Sequence, residues 1–511
     1  MPDFGWLSIL PALTSLGLAL ITRRVLLSLA SGVFLGAILL SGGNLFKGFL
    51  FLIEKEIFVQ IADPFNAQIL LLMILINGFV SLIRGSGAIT AFGRSVSRSI
   101  KGPIRTQLAA WVGGLCIFFT DSGHSLILGP IFQPLFRQAK VCREKLAYIL
   151  DSTSAPLCCL IPFIGWGIYS TSLIQSSFDS LGIKDNSFFT FIHAIPFQFY
   201  PILMLLAIPL FVVLRWDFPL MERFQSRFVS APEAKTGDPE PDEGVRARVV
   251  LIPMLTLFAT IAAGILYYWF SLGNLPGIKI RVTIMCAYLF ATAVCVVLIR
   301  RDDKKTKLTP LYLSGLSGIF PVLGMIILAW ALGDICGQVG TGRFISTVIG
   351  SDIPPFLFPA IVFLIGSVTS FATGTSWGTF GILMPIALPI AHEIGAPMLV
   401  TIGAVLSGGV WGDHCSPISD TAILASMASD CPHADHINTQ IPYATAAGLA
   451  TLLGFVIAGI TPSYWVLLAG IFLLLPVMFL LVTLSKKIRW VGSSDHEKKG
   501  VYLAPGRDEG V

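Results

Sequence analysis

Four aspartates stand where otherwise apolar stretches of the chain are interrupted by polar residues: Asp121, Asp151, Asp413 and Asp420. On insertion scales, each carboxylate at the centre of a bilayer costs on the order of 2.5–3.5 kcal/mol, so four would cost roughly 10 kcal/mol without a compensating partner. A bound proton or a small cation is the natural compensation. Because burial disfavours the charged form of a carboxyl, such an acid can exchange a cation for a proton near neutral pH. These residues therefore predict competition between H⁺ and a cation.

Hydroxyl side chains accompany these acids in the sequence. Hydroxyl oxygens are hard ligands, which suit Na⁺ better than they suit soft metals. The candidate ion- and proton-binding hydroxyls are Ser122, Ser152, Thr153, Ser154, Thr373, Thr375, Ser376, Ser416, Ser419 and Thr421. His414 is interpreted equally well as a proton relay and as a partner that fixes the side chain of Asp413. We expect Na⁺ itself to bind at Asp413, Asp151, Ser416 and Thr375.

The composition indicates a membrane protein. Of the 511 residues, 54% are hydrophobic and only 12% are charged, whereas about a quarter of the residues of a soluble protein are charged. Apolar runs recur along the whole chain, each long enough to cross a hydrocarbon layer of ~30 Å, and they predict an all-α polytopic protein with about ten or eleven transmembrane helices. The net charge of +5 lies in short loops, so it indicates topology and not a nucleic-acid partner. No cofactor is expected.

Two stretches have the features of re-entrant hairpins. Residues 107–136 are apolar, yet basic loops flank them on both sides, so they cannot form a single straight span. They are predicted to form two helical arms with a polar tip at 120–123. A second hairpin, at 355–391 with its tip at 373–378, has flanks without a basic excess and is predicted to enter from the outside.

Each hairpin is followed by a span that is predicted to be broken. The first span, 146–175, is interrupted at 151–156, and the second, 397–428, is interrupted at 412–417. Because unpaired backbone groups are not tolerated in lipid, such breaks must be buried in protein or line a cavity. The polar residues that follow the second span, Asp430, His433, Asp435 and His436, are predicted to form a solvated loop at the inner face.

The order of the elements predicts two inverted repeats, each with a re-entrant hairpin and a broken helix, which is a pattern typical of transporters. The predicted units are a first inverted repeat (1–216), a flexible cytoplasmic linker (217–246), a second inverted repeat (247–462), an extra C-terminal transmembrane helix (463–490) and a polar cytoplasmic tail (491–511). Basic residues after the last helix place the C-terminus in the cytoplasm, so we expect a multi-pass protein of the plasma (inner) membrane. A homodimer is left open.

Residues 411–426, WGDHCSPISDTAILAS, resemble the signature of the NhaC-type Na⁺/H⁺ antiporter family. TDSGHS at 120–125, DSTSAP at 151–156 and TGTSWG at 373–378 fit the same family pattern, and the resemblance covers most of the chain, about residues 5–485. It implies exchange of Na⁺ for H⁺ across a bilayer. The residues that it places at the ion site are Asp413, His414, Ser416 and Asp420. Since relatives that exchange organic acids share this pattern, a Na⁺- or H⁺-coupled transporter of a small organic acid or amino acid is the alternative.

Other interpretations of the same residues exist. Asp121, Asp151 and Asp420 could each serve as a helix cap. Residues 374–378, GTSWG, fit the G-x-S-x-G motif of serine hydrolases, but a nucleophile elbow needs a strand–turn–helix and here both flanks are apolar helix arms. A channel would suit polar tips within the membrane, but inverted halves around a sealed site favour alternating access. The predicted function is therefore secondary active antiport, not enzymatic catalysis.

Overall fold

The computed structural model describes residues 4–86, 102–230, 248–272, 275–303, 306–349 and 354–498. Within these ranges, all regular secondary structure is helical. Among the described residues, nine helices are long and apolar enough to cross a membrane, or up to eleven if each of two bent helix pairs counts as one span. The predicted all-α polytopic architecture is confirmed.

Twelve helices make up the described part of the chain before residue 231. They are α1 (Leu10–Thr22), α2 (Val25–Leu40), α3 (Leu45–Ala62), α4 (Pro64–Gly85), α5 (Pro103–Cys116), α6 (Asp121–Gln138), α7 (Arg143–Ser152), α8 (Ala155–Cys158), α9 (Gly165–Leu181), α10 (Ser187–Ala194), α11 (Phe199–Leu214) and α12 (Pro219–Ser230). Local sequence sets their ends: Asp63 accepts hydrogen bonds from the backbone of Phe65 and Asn66 at 2.9 Å, and Pro64 occupies the first position of α4.

Ten further helices follow in the described part of the chain after residue 247. They are α13 (Arg248–Leu272), α14 (Gly277–Asp302), α15 (Leu308–Val339), α16 (Thr341–Ile349), α17 (Phe358–Thr373), α18 (Ser376–Ile394), α19 (Met398–Cys415), α20 (Asp420–Ser429), α21 (His433–Ile460) and α22 (Val466–Lys498). α22 continues to Lys498, beyond the limit of 490 that was expected for the last transmembrane helix.

Both predicted hairpins are present, and their tips share one capping pattern. In the first, between α5 and α6, the hydroxyl of Thr120 accepts a hydrogen bond from Gly123 N at 3.1 Å. In the second, between α17 and α18, the hydroxyl of Thr375 accepts one from Gly378 N at 3.5 Å. These threonines satisfy a free backbone donor at the start of the second arm, so the chain can turn inside the bundle without an unpaired group.

Both broken spans are present, although the second break lies later than predicted. The first separates α7 from α8 and α9, and the second separates α19 from α20 at residues 416–419. Gly412 to Cys415 are helical, so the prediction of a break beginning at 412 is wrong. The residue before a proline is disfavoured in the α conformation, and Ser416, which precedes Pro417, is extended at φ −78° and ψ 129°. Asp413 therefore lies in the last turn of α19.

Two glycines allow α17 and α19 to approach each other closely around the second break. A Cβ on Gly412 would lie 2.2 Å from the backbone oxygen of Ser367, and one on Gly408 would lie 2.5 Å from that of Phe363. Small residues at a membrane helix interface let the backbones touch and pack. The close packing fixes the end of α19 against the first arm of the second hairpin.

Two stretches that were expected to lack regular structure contain helix. The predicted flexible linker at 217–246 includes α12, and its residues 231–246 lie outside the described part. The predicted inner loop is instead the start of α21, where His436 is 0% exposed.

Basic side chains from distant segments meet at one end of the bundle. Arg143 donates a hydrogen bond to the backbone oxygen of Asp430 at 2.7 Å, and Arg137 pairs with the Asp430 carboxylate at 3.5 Å. α12 lies at the same end, because Gln225 donates to Lys140 O at 2.7 Å and Glu222 pairs with Lys486. We call this end, which carries Arg137, Lys140, Arg143 and Lys486, the basic face.

Candidate functional site

Asp413, in the last turn of α19, is 3% exposed and is held by the tip of the second hairpin. Its Oδ2 accepts hydrogen bonds from the Ser376 hydroxyl at 2.8 Å and from Ser376 N at 3.3 Å. Ser376 is the first residue of α18, where free N–H groups and the helix dipole favour a negative charge. Asp413 Oδ1 is buried and accepts no hydrogen bond from the described residues. This oxygen is free to bind a cation or a proton.

Asp151, at the end of α7, is 0% exposed and has different neighbours. Its Oδ2 accepts a hydrogen bond from Gln440 Nε2 at 2.7 Å. The Nε2 atoms of His414 and His436 lie 3.8 Å and 4.0 Å from the same oxygen. Asp151 Oδ1 accepts no hydrogen bond within the described ranges. The carboxyl thus lies among an amide, two imidazoles and the hydroxyl of Thr421.

His414 connects the surroundings of these two acids. Its Nε2 lies 3.0 Å from the Ser152 hydroxyl, and its Nδ1 lies 2.6 Å from the Tyr200 hydroxyl. Its backbone oxygen accepts a second hydrogen bond from Gln440 Nε2 at 2.6 Å. His414 directly follows Asp413 and contacts Ser152 at the end of α7. The break after α19 and the break after α7 therefore belong to one polar cluster.

Gln440, His436 and Tyr200 belong to this cluster, although the sequence interpretation did not include them. A signal for two of them exists: His433, His436 and Gln440 follow the spacing i, i+3 and i+7, which puts all three on one face of a helix. Tyr200 carries no comparable signal, because a single tyrosine in an apolar helix is an ordinary packing residue.

Asp121 and Asp420 are placed less centrally. Asp121 is partly buried at the start of α6, where its Oδ2 accepts a hydrogen bond from Trp166 Nε1 at 3.1 Å. Asp420 is exposed at the start of α20, and its Oδ1 accepts a hydrogen bond from Thr421 N at 2.9 Å. The N-cap residues of α6 and α20 are Thr120 and Ser419, so the helix-cap interpretation of Asp121 and Asp420 is wrong. The role of both acids in ion binding stays a prediction.

Most of the predicted hydroxyl ligands donate their protons to nearby groups. Ser154, Thr153, Ser416 and Thr373 donate to the backbone oxygens of Asp151, Ile149, Phe371 and Thr369 at 2.7–2.8 Å. The hydroxyls of Ser419 and Thr421 lie 3.0 Å apart. With its proton engaged, each hydroxyl can turn lone pairs toward a cation. The side chain of Ser122 lies outside the described part.

Comparison with known proteins identifies the family. The model of the Na⁺/H⁺ antiporter family matches residues 157–460. An uncharacterized protein of Haemophilus influenzae is 31% identical over 476 residues, which cover 89% of this chain and 91% of that relative. The chain belongs to the Na⁺/H⁺ antiporter family. The resemblance predicted from the motif at 411–426 is confirmed.

A shorter match connects this antiporter-family chain to a protein with a named cargo. The malate-2H⁺/Na⁺-lactate antiporter of Bacillus subtilis is 33% identical over 150 residues, which cover 28% of this chain and 32% of that protein. The family and its relatives are transporters, so this chain is a secondary transporter and not an enzyme. The serine-hydrolase interpretation of residues 374–378 is wrong.

The fold of this antiporter-family chain also resembles that of a solved transporter. The YdaH transporter of Alcanivorax borkumensis aligns with a TM-score of 0.57 over 80% of this chain and 88% of that one, at 14% sequence identity. At this identity the likeness concerns the fold alone. It agrees with the assignment of an integral, multi-pass membrane protein.

Proposed function

We propose that this transporter exchanges Na⁺ for H⁺ by alternating access, with Asp413 as the main Na⁺ ligand and Asp151 as the proton carrier. The observation that carries the proposal is that two buried carboxylates have different neighbours and are linked through His414. The hydroxyls of Ser376 and Ser419 and a helix N-terminus contact the first, whereas an amide, two imidazoles and the Thr421 hydroxyl contact the second.

The surroundings of Asp413 support Na⁺ binding. Among the described residues, no lysine or arginine pairs with this carboxylate. Carboxylate and hydroxyl oxygens are the hard ligands that Na⁺ prefers. Ser376 contacts the carboxylate directly, and Thr375 and Ser416 lie at the adjacent tip and break. A bound Na⁺ would balance a buried charge that otherwise has only hydrogen bonds to stabilise it.

The surroundings of Asp151 support proton binding. Three nitrogen atoms lie within 2.7–4.0 Å of its Oδ2: those of Gln440, His414 and His436. An amide N–H does not coordinate Na⁺, whereas an imidazole donates and accepts protons near neutral pH. We therefore propose that Asp151 binds the proton, in place of the expectation that it binds Na⁺.

Exchange follows from the closeness of the two charges. Two carboxylates in one low-dielectric cluster repel each other when both are ionised, so a proton on Asp151 stabilises the cluster when no cation is bound. A cation at Asp413 offsets this repulsion and favours the ionised form of Asp151. Binding of Na⁺ at Asp413 from one side would be linked to release of the proton from Asp151 toward the same side. We further propose that the basic face is cytoplasmic, which places the C-terminus inside, and that the membrane is the plasma (inner) membrane.

A second candidate function is exchange of an organic acid coupled to these ions. The observation in its favour is the partial similarity to the malate-2H⁺/Na⁺-lactate antiporter of Bacillus subtilis. Free N–H groups at the start of α18 would suit a carboxylate cargo. The main candidate is preferred because the Ser376 N–H group already donates to Asp413.

A flux experiment distinguishes the two candidates. The purified chain is reconstituted into liposomes that contain a pH-sensitive dye, and Na⁺, Li⁺, K⁺, malate and lactate are added in separate runs. We expect Na⁺ alone to drive proton movement, and malate or lactate to leave the rate unchanged. Proton movement only in the presence of an organic acid would favour the second candidate, and no response to any of these solutes would contradict both.

A further inference from the structure

A continuous row of polar side chains leads from the basic face to Asp151. It begins at His433, which is partly buried in the first turn of α21, three residues after Asp430. The successive distances are His433 Nδ1 to Ser426 Oγ 3.0 Å, Ser426 Oγ to His436 Nδ1 2.8 Å, His436 Nε2 to Gln440 Oε1 2.8 Å, and Gln440 Nε2 to Asp151 Oδ2 2.7 Å. Each contact is within hydrogen-bonding distance, so the row has no gap.

The orientation of Gln440 fixes where a proton sits on His436. The Gln440 amide nitrogen faces two acceptors, Asp151 Oδ2 and His414 O, and can donate to both. Its oxygen therefore faces His436 Nε2, which must carry a hydrogen to make that contact. In the neutral ring, the second nitrogen of His436, Nδ1, is then an acceptor.

The surroundings of His436 Nδ1 are also compatible with the doubly protonated, positively charged ring. It is 2.8 Å from the Ser426 hydroxyl and 3.2 Å from the backbone oxygen of Ala422. A backbone oxygen offers no hydrogen to a neutral Nδ1, but it accepts one from a protonated Nδ1. Both nitrogens of a doubly protonated His436 would have acceptors, with Asp151 4.0 Å away as the opposite charge.

Ser426 is the only side chain of the row that contacts both histidines. Its hydroxyl lies within 2.7–3.0 Å of Ala422 O and of the Nδ1 atoms of His433 and His436, yet it has a single proton to donate. His433 Nε2 lies 2.7 Å from Pro417 O and so carries a hydrogen, which leaves Nδ1 as the nitrogen that gains or loses a proton toward Ser426. A hydroxyl between two imidazole nitrogens can receive a proton from one and pass its own to the other.

We propose that His433, Ser426 and His436 form the proton path between the basic face and Asp151. The inference rests on the proposed Na⁺/H⁺ exchange and adds the route that the proton takes. In the inward step, Nδ1–H of doubly protonated His433 goes to Ser426 Oγ while the Ser426 hydroxyl proton goes to His436 Nδ1. His433 becomes neutral, and His436 carries the charge.

The last transfer delivers the Nδ1 proton of His436 to Asp151 Oδ2 and requires rotation of the His436 side chain, whose Nε2 lies 4.0 Å from this oxygen. His436 is then neutral with its hydrogen on Nε2, and the reverse rotation restores the starting form. The other titratable or charged groups of the elements packed around the path include Asp435 on α21, Asp420 on α20, Asp430 at its end, Asp121, His124 and Arg137 on α6, Arg143, Glu144 and Lys145 on α7, and Asp413 and His414 on α19.

The test replaces Ser426 with Ala and, as the matched control, with Thr, which keeps the hydroxyl. Two rates are measured in liposomes with the full chain: Na⁺-driven proton movement, and exchange of labelled Na⁺ for unlabelled Na⁺, which moves no net proton. We expect Ser426→Ala to slow proton movement by about tenfold or more, with labelled Na⁺ exchange close to the wild-type rate. Ser426→Thr restores proton movement.

Three outcomes would overturn the path. Proton movement in Ser426→Ala at the wild-type rate would show that the hydroxyl is not needed. Equal loss of both rates in Ser426→Ala would show a structural role for the residue. Absence of Na⁺-driven proton movement in the wild-type chain would contradict the proposed exchange, and therefore also the proton path that rests on it. The labelled-Na⁺ measurement separates this last case from failure of the path alone.

Discussion

The two buried carboxylates of the site differ in how far along the chain their partners lie. Asp413 takes its hydrogen bonds from Ser376, 37 residues earlier, within the second half of the chain. Asp151 takes its hydrogen bond from Gln440, 289 residues later, in the other half. A movement of one half relative to the other would therefore preserve the hydrogen bonds of Asp413 and break that of Asp151.

This difference gives a physical basis for coupling. A cation bound at Asp413 would stay with its ligands while the site changes its exposure, whereas the proton site at Asp151 would be assembled in one state and separated in another. Loss of the contacts with Gln440 and the two histidines would change the proton affinity of Asp151 without any change in its covalent structure. Variants of the two acids and of their partners test this distinction.

The largest effect is expected for Asp413→Asn. The amide removes the charge that balances Na⁺, and loss of one partner of a buried ion contact typically costs about 3–5 kcal/mol, which corresponds to roughly 100-fold or more in affinity. Both Na⁺-driven proton movement and labelled Na⁺ exchange should be abolished. Asp185→Asn, on an exposed loop residue, is the control. A fully active Asp413→Asn chain, with thermal unfolding like the wild type, would remove this residue from the mechanism.

Asp151→Asn should separate the two activities. The variant cannot carry a proton at this position, so Na⁺-driven proton movement should be lost. Since Asp413 keeps its partner Ser376, exchange of labelled Na⁺ should continue near the wild-type rate. The measurement compares both fluxes in the same liposome preparation. If Asp151→Asn also abolished labelled Na⁺ exchange in a folded protein, the two acids would form one shared site and the assignment of separate roles would be wrong.

Ser376→Ala should weaken Na⁺ binding without abolishing transport. Hydrogen bonds to a charged group contribute about 1.5–3 kcal/mol, so the Na⁺ concentration for half-maximal flux should rise roughly tenfold to 100-fold. Ser317→Ala is a matched control, because that hydroxyl is exposed on α15 and bonds only to the backbone of its own helix among the described contacts. An unchanged Na⁺ dependence in Ser376→Ala would argue against a direct role for the second hairpin tip.

The sequence predicted those parts of the fold that depend on local chemistry. Charge in the flanking loops and a polar tip within each apolar run located both hairpins, and in the structure Thr120 and Thr375 cap the second arm at each tip. The second break lies later than predicted because Gly412 and Asp413 remain helical, and the helix ends only at the Ser416–Pro417 pair, where the proline disfavours helix at Ser416.

The site was predicted only in part, for a physical reason. Asp413, His414 and Ser152 lie in or next to the interrupted segments, where polar residues in an apolar run stand out. Gln440 and His436 belong to the site because α21 packs against α7. Their contacts join distant parts of the chain, since Gln440 and Asp151 are 289 residues apart. Helical spacing identifies the face of α21 that carries them, but not the acid that this face meets.

The smallest effect is expected for Tyr200→Phe, which removes the hydroxyl 2.6 Å from His414 Nδ1 and keeps the ring. A hydrogen bond between neutral groups contributes about 0.5–1.5 kcal/mol, so Na⁺-driven proton movement should fall roughly two- to tenfold, while Na⁺ affinity stays unchanged. Tyr148→Phe is the matched control, since the buried Tyr148 hydroxyl has no hydrogen-bond partner among the described residues. If both variants slowed proton movement equally, the effect would reflect packing around α7. A selective effect of Tyr200→Phe would show that the orientation of His414 serves the proton side of the site.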